Sequence, residues 1–439
     1  MKKILSFIVA IMALNLAYGQ SFLEDVVLSL DKGMEGVYAK GEPVKVFAEV
    51  KQETPALVKI YHNGVFKESH ETLLPAGKSE VFNQSYDESI AIMVRLTNPA
   101  KLKDSTTVGA VVAPEGFQAG FEEPADFAEH WAKELKTLRK MKMKVKLTPV
   151  EVPGKDGEEY DCFDLEINCV GGVPARGYVA IPRNAKAKSL PIALYLHSAG
   201  DIRRPFVRST ISKAVSMAKY GGGAIGADIN AHGLLGGQDQ SYYDAKEEEL
   251  HGYSTKAAQG HEDHYFRTMF LRDIRALDYL CSLKEWDGKR VLVTGGSQGG
   301  AQSAAVAGLD PRVTHVVVDV PAMWGVGGKV LGRLSGWPKY LEKYGLDSKM
   351  AELAPYYDGG NFLRHFKGDL VVNVGLIDLT CPPAEVWSAY NLCPAASKVI
   401  HPCAWKGHSG KYSLPKEEQS KVRKFMGKYL NDAINESLK

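Results

Sequence analysis

The sequence has little of what would tie a protein to a membrane, a nucleic acid or a metal. The amino-terminal apolar stretch from Ile4 to Leu16 is too short for the roughly 20 residues a bilayer-spanning helix needs. Neither sign of charge dominates, with 54 Lys and Arg against 52 Asp and Glu, so no global field draws the chain to nucleic acid or to an anionic membrane surface. Only six cysteines occur, at 162, 169, 281, 381, 393 and 403, and none stands in a C-x-x-C or Cys/His ligand spacing. That argues against a zinc module or a dithiol redox motif. No cysteine follows the first apolar stretch, where a lipid anchor would need one.

What is present begins with Lys2 and Lys3, that apolar stretch, and Ala17-Tyr18-Gly19. Basic, apolar and small-residue segments in this order predict a secretory signal over residues 1–19, hence a secreted or periplasmic protein without a membrane anchor. Its removal lowers the 54 basic residues by two, to equal the 52 acidic ones. Export would permit disulfides, but a chain this long can bury a core without them.

Residues 20–115 read as short strands. Val44, Val46, Ala48 and Val50 alternate with Lys45, Phe47, Glu49 and Lys51, Asn63-Gly64 is a hairpin-turn signal, and Ile90, Ile92, Val94 and Leu96 repeat the alternation. This predicts an immunoglobulin-like β-sandwich with no catalytic constellation of its own, either binding glycan or a partner or serving to brace and pack, the last being the expected role. From residue 116 to 439 the pattern changes. Ile192 to Leu196, Ala224 to Ala227, Val291 to Thr294, Val316 to Val320 and Leu370 to Val374 are continuous apolar runs separated by helical periodicity, such as Phe266, Phe270, Ile274 and Leu277. Strands covered on both faces and separated by helices predict a doubly wound, mostly parallel α/β sheet.

One of these strands runs into Gly295-Gly296-Ser297-Gln298-Gly299, a G-x-S-x-G match followed by small residues. The five letters alone are weak. A buried strand before them and a small-residue helix after them are what a nucleophile elbow requires, making Ser297 the candidate nucleophile. A serine hydroxyl needs a base, and the base needs an acid to hold its tautomer, both downstream in this architecture. His315 lies in an apolar strand, His365 among Phe362, Leu363 and Phe366, and His401 just before Pro402; His408, in a glycine-flanked loop, is the candidate base. Asp378, after the strand 370–374, is the candidate acid, with Asp319 the earlier competitor. The backbone N–H groups of Gln298 and Ala199 are the expected oxyanion donors, His197 being a loop-shaping residue. His261-Glu262-Asp263-His264 fits no common metal spacing and reads as a charged surface loop.

The G-G-S-Q-G segment, Arg272 to Leu280, Pro124-Ala125-Asp126-Phe127 and Asp378-Leu379-Thr380-Cys381-Pro382-Pro383 together resemble the acetyl xylan esterase and cephalosporin C deacetylase family of α/β-hydrolases, over residues 120–435. The resemblance implies cofactor-free removal of O-acetyl groups from xylan fragments or similar acetylated sugars, with Ser297, Asp378 and His408 as the triad. The family's Arg-Gly-Gln, His-Glu and His-Gly-Tyr motifs are here Asn230-Ala231-His232, His408-Ser409 and His197-Ser198-Ala199. It also implies a ring-like hexamer, and the added β domain leaves the form of any homo-oligomer open. The rivals are an esterase for bulkier acyl groups, a serine peptidase, for which the amino-terminal segment is too short to form a propeller, and a non-catalytic glycan-binding protein.

Overall fold

The computed structural model describes residues 22–410 and 412–439; the expected signal segment lies outside them. The chain divides into two units. The first contains the residues up to Phe117 and also two later segments, Val374–Trp387 and His401–Gly427; the second contains Gln118–Asn373, Ser388–Ile400 and Lys428–Lys439.

The first unit holds two sheets. One, in the order β1-β3-β6, comprises β1 (Val26–Leu30), β3 (Pro43–Val50) and β6 (Gly77–Ser85); the other, β2-β8-β7-β4-β5, comprises β2 (Val37–Tyr38), β4 (Thr54–His62), β5 (Val65–Leu74), β7 (Ile90–Asn98) and β8 (Lys101–Val112). The alternation in β3 buries Val44, Val46, Ala48 and Val50, which share one core with Val58, Ile60, Ile92, Val94 and Val108 of the other sheet. Asn63 and Gly64 join β4 to β5 with φ of 49° and 80°, the two positive angles of a type I′ hairpin turn. β7 departs from strict alternation, since Ala91 and Met93 are buried along with Ile90 and Ile92. Its place between β4 and β8 puts neighbours along both of its edges.

The second unit is built on a nine-stranded sheet, order β17-β16-β15-β14-β12-β13-β11-β10-β9. Its strands are β9 (Val145–Val150), β10 (Tyr160–Ile167), β11 (Ala175–Pro182), β12 (Leu190–Leu196), β13 (Ile225–Ile229), β14 (Trp286–Gly296), β15 (His315–Asp319), β16 (Asp369–Gly375) and β17 (Lys398–Cys403), the last residues of β16 and β17 belonging to the first unit. β13, β12, β14, β15 and β16 are parallel, and the β9 to β11 edge is antiparallel. From β12 the chain moves to one side to form β13, then crosses to the other side to form β14. The carboxyl ends of β12 and β14 therefore border the switch point, the place where open α/β sheets bind their ligands.

Three helices matter for the site: α1 (Phe127–Lys140), α2 (Tyr265–Leu280) and α3 (Gln298–Leu309). The side of α2 bearing Arg272, Asp273 and Arg275 is as buried as its apolar side. The Arg272 guanidinium donates to Ala231 O at 2.7 Å, and that of Arg275 donates to Leu138 O at 2.6 Å and Met141 O at 3.1 Å. Buried guanidinium groups thus bond to carbonyls at the end of α1 and in the loop after β13. Burial drives the Asp273 carboxyl well above the usual carboxylate range.

Candidate active site

Ser297 sits between β14 and α3 with φ 52° and ψ −120°, a conformation that costs a non-glycine residue on the order of 1–3 kcal/mol. The surroundings hold it there. Ser297 N–H donates to Asp319 O at 2.9 Å, and Ser297 O accepts from Ala322 N–H at 2.9 Å and Gly300 N–H at 2.8 Å. The turn is tight because its walls are bare: a Cβ at Gly299 would lie 2.2 Å from Leu196 O, so only glycine lets α3 start this close to β12. The small residues from Gly300 to Ala307 are all buried, as the pattern after the motif required.

The loop after β12 is tied to the elbow. Ser198 Oγ donates to Gly296 O at 2.8 Å, and Gln302 Nε2 donates to His197 O at 2.9 Å. His197 is 4 % exposed; one ring nitrogen faces Asp228 Oδ1 and the other lies 3.2 Å from Phe206 O. Asp228 Oδ2 in turn accepts from Thr210 N–H at 2.8 Å. This fixes the loop that carries Ala199, and it spends both nitrogens of His197 on structure. The pairing with Asp228, 31 residues on, leaves no local mark in the sequence. Another contact without a sequence signal is Tyr253, whose hydroxyl donates to Gln298 Oε1. In the loop after β13, Asn230 Oδ1 accepts from His232 N–H at 2.9 Å and Leu234 N–H at 3.1 Å, and Asn230 Nδ2 donates to Val207 O at 3.3 Å. Burial pushes the His232 imidazole down to about 3.

Asp378 and His408 both lie in the first unit, and the structure brings them together. His408 Nδ1 is 2.8 Å from Asp378 Oδ2. Asp378 Oδ1 accepts from Thr380 N–H at 2.8 Å and Cys381 N–H at 2.9 Å, so one carboxylate braces its own turn and faces the imidazole with its second oxygen. The aspartate side chain is buried while that of His408 is 22 % exposed, leaving the ring able to meet a reactant. Because Nδ1 faces the carboxylate it carries the proton, and Nε2 is the basic nitrogen. Cys381 offers a sulfur close enough for Asp378, Cys381 and His408 to have ligand atoms within 4.8 Å of one another. Both carboxylate oxygens already have partners, Oδ1 the two peptide N–H groups and Oδ2 the imidazole.

The other histidines go elsewhere. His315 begins β15 and His401 lies within β17, while His365 Nε2 contacts Glu123 Oε2 at 3.1 Å. In the segment 261–264 Glu262 and Asp263 are exposed, as a charged surface loop requires, while the two histidines turn inward. His264 is 2 % exposed, stacks on Tyr357 with centroids 3.6 Å apart, and has no hydrogen-bond partner at either ring nitrogen. His261 faces the His130 ring at 4.0 Å and Tyr357 Oη at 3.2 Å. These histidines act as aromatic packing, and burial pushes His264 down to about 3. Among the described residues no cysteine is disulfide-bonded.

A model of the acetyl xylan esterase (AXE1) family matches residues 115–425. Acetyl esterase Axe7A of Xylanibacter ruminicola is 32 % identical over 318 residues, covering 70 % of this chain and 68 % of that protein. The acetyl xylan esterase from Paenibacillus sp. R4 superposes with a TM-score of 0.55 at 23 % identity, over 72 % of this chain and 98 % of that one. Acetyl xylan esterase 1 from a Thermoanaerobacterium species does so with a TM-score of 0.56 at 22 % identity, over 74 % and 97 %. These two solved structures carry the same α/β-hydrolase fold.

Proposed function

The chain belongs to the acetyl xylan esterase (AXE1) family of carboxylic ester hydrolases, and from that premise we propose that it is an exported serine esterase removing O-acetyl groups from acetylated xylan, xylo-oligosaccharides or similar sugars. The reading rests chiefly on Ser297, held in a strained turn at the carboxyl end of β14 beside the switch point of the sheet. The Asp378–His408 pair also supports it. We read the two amino-terminal sheets as an immunoglobulin-like sandwich and residues 1–19 as the export signal.

In this reading the Ser297 hydroxyl attacks the acetyl carbonyl carbon as His408 Nε2 takes its proton. Asp378 holds Nδ1–H and stabilises the imidazolium that forms. Negative charge gathers on the former carbonyl oxygen, which the N–H groups of Gln298 and Ala199 receive. Collapse of the tetrahedral intermediate breaks the bond to the sugar oxygen, which leaves with the proton from His408, and the acetyl group stays on Ser297. Water, deprotonated by His408, attacks the acetyl-enzyme, and acetate departs as the serine recovers its proton. The proton that left Ser297 departs on the sugar hydroxyl and one from water replaces it, so Ser297, His408 and Asp378 end as they began, and the chemistry draws on no cofactor.

Acetate released from acetylated xylan, measured beside acyl esters of increasing chain length, tests the assignment. Acetyl esters should turn over fastest. A preference for long or aromatic acyl groups would overturn the acetyl assignment, and failure of a fluorophosphonate probe to label Ser297 would overturn the nucleophile.

A further inference from the structure

The loops bearing Asp378 and His408 are built into the amino-terminal β unit. The connection runs through backbone hydrogen bonds, all within the first unit. Ala404 spends both of its peptide groups on amino-terminal segments, donating its N–H to Met34 O at 2.8 Å and accepting Gly109 N–H of β8 at 2.8 Å. Next to it, Cys403 O accepts Leu376 N–H at 3.0 Å and Lys406 O accepts Ile377 N–H at 3.2 Å. These contacts end one or two residues short of Asp378 and two short of His408.

The turn carrying His408 is pinned at both ends. Lys406 and Tyr412 pair as an antiparallel bridge. Just outside that bridge, Trp405 Nε1 donates to Leu28 O of β1 at 2.8 Å, and Ser413 Oγ accepts Thr107 N–H of β8 at 2.6 Å. Ser413 N–H also donates to Trp405 O at 2.9 Å, closing the neck of the turn. On the Asp378 side the fit is steric: a Cβ at Gly109 would lie 2.3 Å from Leu376 O, and one at Gly36 would lie 3.0 Å from the Leu376 side chain. Ala404 and Trp405 belong to the same apolar core as Val26, Leu28 and Val108.

We propose that the amino-terminal β unit is a positioning device for the acid–base pair, with Gly109, Trp405 and Ser413 as positioning residues that set where the His408 imidazole stands. Trp405 and Ser413 grip the two strands of the neck, and Gly109 lets β8 lie against the backbone that leads into Asp378. The proposal rests on Asp378 and His408 being the catalytic acid and base, as put forward above.

The test uses the full chain and the variants Trp405→Phe, Ser413→Ala, Ser413→Thr and Gly109→Val, with Ser297→Ala and Asp378→Asn as controls. Rates on 4-nitrophenyl acetate are divided, for the variants that keep Ser297, by the number of sites titrated to completion with a fluorophosphonate, and for the Ser297→Ala control by the folded protein measured by circular dichroism, so that misfolded protein does not count. Trp405→Phe and Ser413→Ala should lower kcat per titrated site by about 10- to 100-fold with KM little changed, the scale expected for a small misplacement of a catalytic group. The acidic limb of kcat/KM against pH should move, and Ser413→Thr, which keeps the acceptor oxygen, should recover most of the rate. Gly109→Val should show the largest loss, and folded Gly109→Val protein with the wild-type rate per site would overturn the part given to Gly109. Wild-type rates per site and an unmoved pH limb in both Trp405→Phe and Ser413→Ala would overturn the positioning role while dead controls left the esterase mechanism standing. Active controls would instead bring down the assignment of the triad itself.

Discussion

The elbow around Ser297 and the arm bearing Asp378 and His408 reach order by opposite routes. The elbow is local. Eleven consecutive residues of β14, one strained serine and a helix of small residues build it, and the partners that hold it, Leu196, Asp319 and Ala322, lie at or just beyond the ends of adjoining strands. The arm is assembled from distant sequence. Asp378 and His408 are thirty residues apart, and the groups that hold their loops come from Leu28, Met34, Thr107 and Gly109, some 270 or more residues earlier. A feature that must be stiff can be written into a short motif when sterics do the work. A side chain aimed from a loop needs a platform, and here a separate pair of sheets supplies it.

That contrast can be broken most severely at the reacting groups. Ser297→Ala should lower kcat by about 10⁶ and Asp378→Asn by about 10⁴, with folding unchanged by circular dichroism. Retained turnover in either would show that the region concerned is only structural.

A smaller loss is expected from Gly299→Ala, whose new Cβ would meet Leu196 O and push α3 away from β12. A fall of about 100-fold in kcat is expected, since the Gln298 N–H shifts with the helix start. If the elbow is as local as it looks, the Asp378–His408 pair keeps its geometry, and the His408 ring signal in a proton spectrum stays in place. A shifted ring signal would mean that the two regions are coupled.

A smaller tie within the elbow region is Ser198, whose hydroxyl anchors the loop after β12 to Gly296 O. Ser198→Ala should cost about tenfold in kcat, read in the same acetate assay, and no change would mean that His197 and Asp228 suffice to hold the loop.

Smallest in its effect on activity, His264→Phe sharpens the comparison through stability. The folded protein holds His264 near 3, below the ordinary value of about 6.5, because the buried ring resists protonation. Between those values the unfolded chain takes up a proton that the folded chain refuses, so stability rises with pH. The contribution is complete above about 6.5 and is lost as the pH falls towards 3, by about 1.4 kcal/mol per pH unit for this one group. His232 adds a like term. Urea midpoints measured from pH 7 to pH 4 should therefore fall less steeply for His264→Phe than for the parent. Equal slopes would show that the ring titrates normally.

Much of this was readable from the amino acids, for particular reasons. Val291 to Thr294 had to be a covered strand because nothing polar interrupts it, and Asn63-Gly64 had to turn because both residues tolerate positive φ. His264 escaped the reading because nothing in the sequence marks a histidine that stacks on a distant tyrosine, and the burial of Arg272 and Arg275 because composition cannot tell a solvated guanidinium from one whose donors end on backbone carbonyls. The division of the chain escaped it too. Residues 374–387 and 401–427 continue the pattern of the α/β segment, yet they cluster with the amino-terminal strands.

The sequence by itself determined the alternation of strands and helices, the turn types and the elbow, since each depends on residues within a few positions of one another. Only the tertiary structure decided which histidine faces Asp378, that His197 is spent on Asp228, and that amino-terminal strands hydrogen-bond the loops of Asp378 and His408. Those outcomes turn on long-range hydrogen bonds and on glycines whose missing side chains matter only once another strand has come to lie against them.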